Sequence, residues 1–273
     1  MKGSGPCEIV TTRGGILAVR DQASGEIMHP VPGEAEALYG APSRLAARLR
    51  DAEERDLVLL DVGLGAASNA LTAWRVSEAR ESTLRRLRLM SFDWSDAALA
   101  MALRPENAPS FGLDGAAGEA ARSLLESGHV ETSRTAWNFV RDPLPGALSA
   151  LAPNMADIVF WDPYSPKTNP ALWTVATFVA LRRVCRSGAT VHTFSASTKV
   201  RSALLLAGFA VGVGPGTGLK EGTTMAAVDV ADLAEPLDAR WLARLERSSS
   251  PWPEDAPPDA MDRVRAAAQF TGA

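Results

Sequence analysis

The segment Asp162-Pro163-Tyr164-Ser165-Pro166 holds the residues of this sequence best placed to do chemistry. Its carboxylate follows the apolar run Asp157–Trp161, which reads as a buried strand. Two prolines then break that strand, stiffen the loop and fix its carbonyls and side chains in place. A carboxylate at the end of a buried strand stands where reacting groups meet. Three other strand-like runs end on an acid. Asp61-Val62-Gly63-Leu64-Gly65 closes Leu57–Val62, Asp93 closes Leu87–Phe92, and Asp142 follows residues 135–140.

Positioning these acids at a common place requires the strands to lie parallel. Helical patterns alternate with the strands at Ser68–Ala79, Asp96–Leu103, Ala116–Ser127, Leu172–Cys185 and Lys199–Ala207. That alternation predicts an α/β fold, a doubly wound and mostly parallel sheet. In such sheets ligands bind outside the carboxyl ends of the strands, where the acids stand. Residues 8–20 read as a small β-hairpin, Glu34–Arg50 as one helix, and 143–156 as a helix or long turn. Thr190–Phe194 and Phe209–Val213 read as strands, and Thr223–Val230 as a last strand in an edge hairpin. The expected division is an N-terminal β and helical extension at 1–50, a core at 51–230, and a peripheral tail at 231–273.

Gly63 and Gly65 permit a tight turn and close approach of a ligand to the backbone. The helix after them offers free amide groups to a polar ligand. The third glycine of a dinucleotide fingerprint is missing, since Ala67 and Ser68 stand there, and so is the Lys-Ser/Thr of a phosphate loop. Asp93 can accept both hydroxyls of a ribose, which suits NAD and S-adenosylmethionine equally, or it caps the next helix. Asp142 fits beside an adenine edge, or serves as the turn residue before Pro143.

Composition bounds the rest. The chain has 273 residues, 46% hydrophobic and 22% charged, which suits one substantial globular core. No apolar run is long enough to span a membrane or act as a leader, so a cytoplasmic protein is expected. Net charge is −4, without the basic excess usual in nucleic-acid binders. Arginines concentrate locally at Arg44, Arg48 and Arg50 and at Arg85, Arg86 and Arg88. Cys7 and Cys185 are expected as free thiols. His29, His129 and His192 lack metal-ligand spacing, so no metal site is expected.

The stretch from Asp162 through Lys167 and Asn169 to Trp173 resembles the signature of the methyltransferases that finish 5-methylaminomethyl-2-thiouridine at the tRNA wobble position. Further segments are similar to that family. They are Gly25-Glu26 with Met28-His29; Glu34, Glu36 and Tyr39; Asp61-x-Gly63-x-Gly65 with Asn69 and Trp74; and Ser91-Phe92-Asp93. Trp137 to Asp142, Thr193-Phe194-Ser195-Ala196, Val200-Arg201, Ala207-Gly208-Phe209 and Gly216-x-Gly218-x-Lys220 continue the resemblance, which covers roughly residues 8–230. Three positions depart from the pattern. Gly65-Ala66-Ala67 stands for Gly-Thr-Gly, Lys220-Glu221 for Lys-Arg, and Pro163-Tyr164 for the commoner Gly-Phe.

The resemblance implies a class I, Rossmann-like methyltransferase that uses S-adenosylmethionine and stands alone, without the flavin-dependent oxidase domain of bifunctional members. It implies methyl transfer to the primary amine of 5-aminomethyl uridine. Asp162 and Tyr164 would be catalytic. Asp61, Gly63, Gly65, Asn69, Asp93, Asp142 and Asp162 would hold the cofactor. Glu26, His29, Lys167, Ser195, Lys199, Arg201 and Lys220 would face the substrate. The implied partners are tRNA and a separate oxidoreductase supplying the aminomethyl precursor; the chain would be a monomer or weak dimer. Other readings stay open: a methyltransferase of the same fold acting on a small-molecule or protein amine, an NAD-dependent oxidoreductase, and a catalytically degenerate relative that binds RNA or a nucleotide.

Overall fold

The computed structural model describes residues 6–12, 14–28, 33–81, 85–216 and 222–271. Cys7–Thr11 (β1), Leu17–Asp21 (β2) and Ile27–Met28 (β3) form a small antiparallel sheet in that order. The main sheet is built from Leu57–Val62 (β4), Leu87–Phe92 (β5), His129–Glu131 (β6), Thr135–Val140 (β7), Ala156–Trp161 (β8), Cys185–Thr193 (β9), Ala210–Gly214 (β10) and Thr223–Ala227 (β11). Its spatial order is β10-β11-β9-β8-β4-β5-β7-β6. The central strands are parallel, with Val62 opposite Phe92 of β5 and Trp161 of β8. Antiparallel strands β6, β10 and β11 flank them.

Alternate side chains of a strand point to opposite faces, so a fully apolar run can feed two cores. Leu57, Leu59, Leu87, Leu89, Ile158 and Phe160 enter one core with the helices Ser68–Glu78, Ala97–Ala102 and Gly115–Ser127. Val58, Leu60, Val62, Met90, Val159 and Trp161 enter the other, with the helices Val175–Val184 and Thr198–Leu206. The sheet is therefore doubly wound and Rossmann-like. β4 is bonded to β5 on one side and to β8 on the other. The chain leaves β4 through β5 and returns later through β8. That reversal opens a crevice at the carboxyl ends of β4 and β8.

Two segments differ from the sequence expectation. Residues 34–50 do not form one helix: a π-helical turn, Glu36–Gly40, is followed by the short helix Leu45–Arg48. Pro42 lacks an amide donor, the Ser43 hydroxyl bonds the Gly40 carbonyl at 2.8 Å, and Arg44 turns left-handed at φ 56°. β10 and β11 pair antiparallel as the expected edge hairpin, with β11 bonded in turn to β9. The segment after 231 is part of the core: Trp241, Leu245 and Val264 are buried against the second face. Asp238 caps the helix Ala239–Glu246 by accepting from the Arg240 and Trp241 amides. The Gln269 amide locks onto both backbone groups of Val211.

Of the concentrated arginines, Arg48 and Arg85 are structural, whereas Arg44, Arg50 and Arg88 are exposed. Arg48 donates to the Asp157 and Gly188 carbonyls at 2.8 Å each. Arg85 is 2% exposed and donates to the Arg48 carbonyl at 2.8 Å. Both tie together the end of the sheet opposite the crevice. Cys7 and Cys185 are free thiols.

Candidate active site

The strand ends are joined by backbone bonds that extend the ladder past the last strand residues. Gly63 N–H donates to the Phe92 carbonyl and Asp162 N–H to the Val62 carbonyl, both at 2.9 Å. This brings Asp61, Asp93 and Asp162 together at one end of the sheet. Gly63 adopts φ +93°, and a Cβ there would lie 2.4 Å from the Asp162 carbonyl oxygen. The close approach of the two loops therefore requires glycine.

A cleft of about 720 Å³ opens above these residues. Asp61 lies fully buried beneath it. Its Oδ2 accepts from Ser91 Oγ at 2.7 Å, and Ser91 Oγ in turn accepts from Trp137 Nε1 at 3.0 Å. Its Oδ1 is buried with no hydrogen-bond partner. Asp93 accepts from the Gly65 amide at 3.1 Å, and Asp162 accepts from Asn69 Nδ2 at 3.0 Å. Burial pushes Asp61 up to about 7 and Asp93 up to about 6; Asp162 and Asp93 add to the first, and Asp96 to the second.

A raised carboxylate pKa means that the folded state holds its proton more tightly than the unfolded chain. The corresponding stability is present below about pH 4 and is lost as pH rises through about 7. Replacing Asp61 by Asn should therefore flatten the fall in thermal midpoint between about pH 5 and pH 8. Melts of both proteins across that range check this, and equal slopes would contradict it.

The N-terminal sheet holds the far wall of the cleft. Tyr164 Oη donates to the buried Asp21 carboxylate at 3.1 Å. Glu26 Oε1 accepts from Ser165 Oγ, and from Thr168 Oγ1 at 2.7 Å. Trp173 Nε1 donates to the Tyr164 carbonyl at 2.9 Å. The loop after Asp162 is thus latched from both sides.

Asp162, Gly63, Gly65, Asn69, Asp93, Asp142, Tyr164, Glu26, Lys167 and Ser195 all line the cleft, and Asp142 stands exposed at its rim. Glu26 is committed to the latch, and the Tyr164 hydroxyl to Asp21. Tyr164 shapes the wall, and its hydroxyl does not point to a reacting group. Replacing Tyr164 by Phe should accordingly hold methyl transfer within about tenfold, while costing about 1–3 kcal/mol because Asp21 stays buried. A loss of transfer approaching that of an Asp162 variant would contradict this.

Two expected substrate contacts lie elsewhere. Arg201 is 9% exposed, and its guanidinium bonds Thr224 Oγ1 at 3.0 Å and the Thr223 carbonyl at 2.8 Å. It ties its helix to β11 and is spent inside the fold. Lys199 is exposed and outside the cleft lining. His29 and Lys220, with Gly218, lie outside the described residues. Sequence reasoning missed Asp21, whose signal was the turn Asp21-Gln22-Ala23-Ser24: its carboxylate accepts from the Ala23 and Ser24 amides. It also gave Tyr39 no role.

The residues fit S-adenosylmethionine. The orphan oxygen of Asp61 and the carboxylates of Glu26, Glu34, Asp93, Asp142 and Asp162 surround the cleft, with Lys167 the one cation among the described lining residues. That field suits a ligand bearing a sulfonium and an ammonium. Asp93, beside the glycine turn, and Asp162 line the cleft, and Asp61 lies buried beneath them.

Comparison with known proteins agrees. A family model described as S-adenosyl-L-methionine-dependent methyltransferase matches residues 132–229. The chain is 32% identical over 207 residues to the tRNA 5-methylaminomethyl-2-thiouridine biosynthesis bifunctional protein MnmC of Aromatoleum aromaticum, covering 71% of this chain and 31% of that protein. It is 29% identical over 216 residues to the protein of the same name from Ralstonia nicotianae, covering 74% and 30%. The chain thus spans about a third of the length of these curated relatives. The crystal structure of MNMC2 from Aquifex aeolicus superposes with a TM-score of 0.73 at 22% identity, covering 97% of this chain and 86% of that one, a likeness of fold. The family match, the relatives and the acid-lined cleft at the β4–β8 switch point together identify the chain as an S-adenosylmethionine-dependent methyltransferase related to the methyltransferase part of the MnmC proteins.

Proposed function

We propose that the chain methylates the primary amine of 5-aminomethyl-(2-thio)uridine at the tRNA wobble position, on a precursor made by a separate oxidoreductase. The observation that carries this reading is Asp162. It is anchored by Asn69, stands at the head of a loop latched from both sides, and lies in a cleft whose acids attract an alkyl ammonium. The names of the curated relatives support the choice of acceptor.

S-adenosylmethionine supplies a methyl already activated by its positive sulfur. The protein's task is alignment and proton removal. Asp162 accepts an N–H of the bound ammonium and takes that proton, which leaves the nitrogen lone pair turned toward the methyl; the methylated product then carries the positive charge. The new N–C bond forms as the C–S bond breaks, and that bond's electron pair leaves with sulfur. Leu172 and Trp173, buried in the wall, exclude water. Lys167 at the mouth, and Lys199 on the surface, would meet phosphates and position the RNA without reading its sequence. A monomer or weak dimer in the cytoplasm suffices for this activity.

The same acid lining also favours a second reading, a free cationic amine as acceptor. The deciding experiment offers the protein labelled S-adenosylmethionine with tRNA carrying 5-aminomethyl uridine, with tRNA lacking it, and with small alkyl amines. Label on the first alone, weakening steeply with salt, is the expected result. Label on free amines with none on RNA would replace the acceptor.

A further inference from the structure

Tyr39 is a buried polar side chain that the chemistry above leaves unused. It lies in the π-helical turn Glu36–Gly40, a geometry that recurs at functional sites. Its ring packs on Phe160 of β8 at 5.3 Å, tilted by 58°. Residues two apart along a strand share a face, so a ring lying on Phe160 carries its hydroxyl toward Asp162. Both Tyr39 and Asp162 line the cleft. Tyr39 is 3% exposed, and its Oη makes no hydrogen bond of good geometry. Beside that oxygen stand the Asp162 carboxylate, the Phe194 backbone and Asp61. A buried hydroxyl left this way is costly, and catalytic hydrogen bonds often align only when substrate is bound.

We propose that Tyr39 is a positioning residue for Asp162: its Oη–H closes onto the carboxylate when the acceptor amine binds, and with Asn69 it forms a two-donor clamp. The inference rests on Asp162 being the group that receives the amine. Two donors on one carboxylate fix its plane and leave its remaining lone pairs for the amine. The phenol keeps its proton, since burial and the neighbouring carboxylates push its pKa up. Among the described residues, the charged groups around the same cleft are Asp61, Asp93 and Asp142 near the strand ends, Glu26 and Glu34 from the N-terminal segment, and Lys167 from the loop of Asp162. A donor on a carboxylate favours its charged form, which is the form that accepts from the amine.

The chain has two tyrosines, so 3-fluorotyrosine labelling gives two fluorine resonances, assigned with Tyr164→Phe. The Tyr39 resonance should move in Asp162→Asn even without ligand. In protein holding S-adenosylhomocysteine, it should move again on adding tRNA with 5-aminomethyl uridine. Tyr39→Phe should lower kcat about tenfold or more and shift the acid limb of the pH profile upward. Affinity for S-adenosylmethionine should stay within about twofold. A Tyr39 resonance indifferent to Asp162→Asn and to the acceptor overturns the proposal, even if the Phe variant fails to fold. So does a folded Tyr39→Phe protein with wild-type kcat and pH profile. A wild type that methylates no amine, while Asp162→Asn still moves the resonance, overturns the substrate reading alone.

Discussion

Replacing Asp162 by Asn should reduce methyl transfer by about 10²–10⁴-fold while the protein stays folded. The amide retains an oxygen that can accept from Asn69 Nδ2, so the anchor at 3.0 Å survives. The backbone bond from Asp162 N–H to Val62 is untouched. What disappears is the charge that accepts the amine proton. The loss should therefore fall on kcat and kcat/KM together, as when an interaction made in the transition state is removed. Single-turnover rates with saturating cofactor check this, and a variant within about threefold of wild type would remove Asp162 from the chemistry.

Replacing Gly63 by Ala should abolish cofactor binding and destabilise the fold by about 3 kcal/mol. Two costs combine. A residue with a side chain is strained at φ +93°, and its Cβ would sit 2.4 Å from the Asp162 carbonyl oxygen, a backbone atom that cannot swing aside. The β4 and β8 loops would have to part, and the carboxylates at their ends would separate. Gly188 is a control, since it has φ +75° with nothing within 4 Å of the added carbon. Gly188→Ala isolates the strain alone, and its expected cost is about 1 kcal/mol. Thermal midpoints should differ by about 4–8 °C between the two variants. Equal midpoints, with cofactor affinity intact in Gly63→Ala, would mean that the loops do not meet as described.

The central strands were legible in the sequence because their signal is local. Leu57–Val62 and Leu87–Phe92 are aliphatic-rich runs with an acid at or just past their ends, and they form strands over those residues. The acids at their ends were legible for the same reason, since topology alone carries them to one crevice. What a side chain does there depends on long-range partners. Glu26 looked free for substrate until Ser165 and Thr168, far along the chain, were found on its carboxylate. Arg201 looked like a phosphate contact until β11 was found inserted beside β9, where Thr223 and Thr224 take its guanidinium. Tyr39 was legible only as one residue of the family resemblance, without a role, because its meaning arises from Phe160 and Asp162 across the fold. The C-terminal segment hid behind its prolines, although Trp241 and Leu245 are spaced to share one face of a helix.

Calorimetric titration of S-adenosylmethionine into the purified chain, with NAD titrated in parallel, tests the cleft most directly. The predicted result is saturable S-adenosylmethionine binding, no comparable NAD binding, and an affinity that falls at least about tenfold when Asp93 becomes Ala, the cost of losing one charge-assisted contact. Absence of S-adenosylmethionine binding by a demonstrably folded sample, or binding indifferent to Asp93, would contradict the assignment of the cleft.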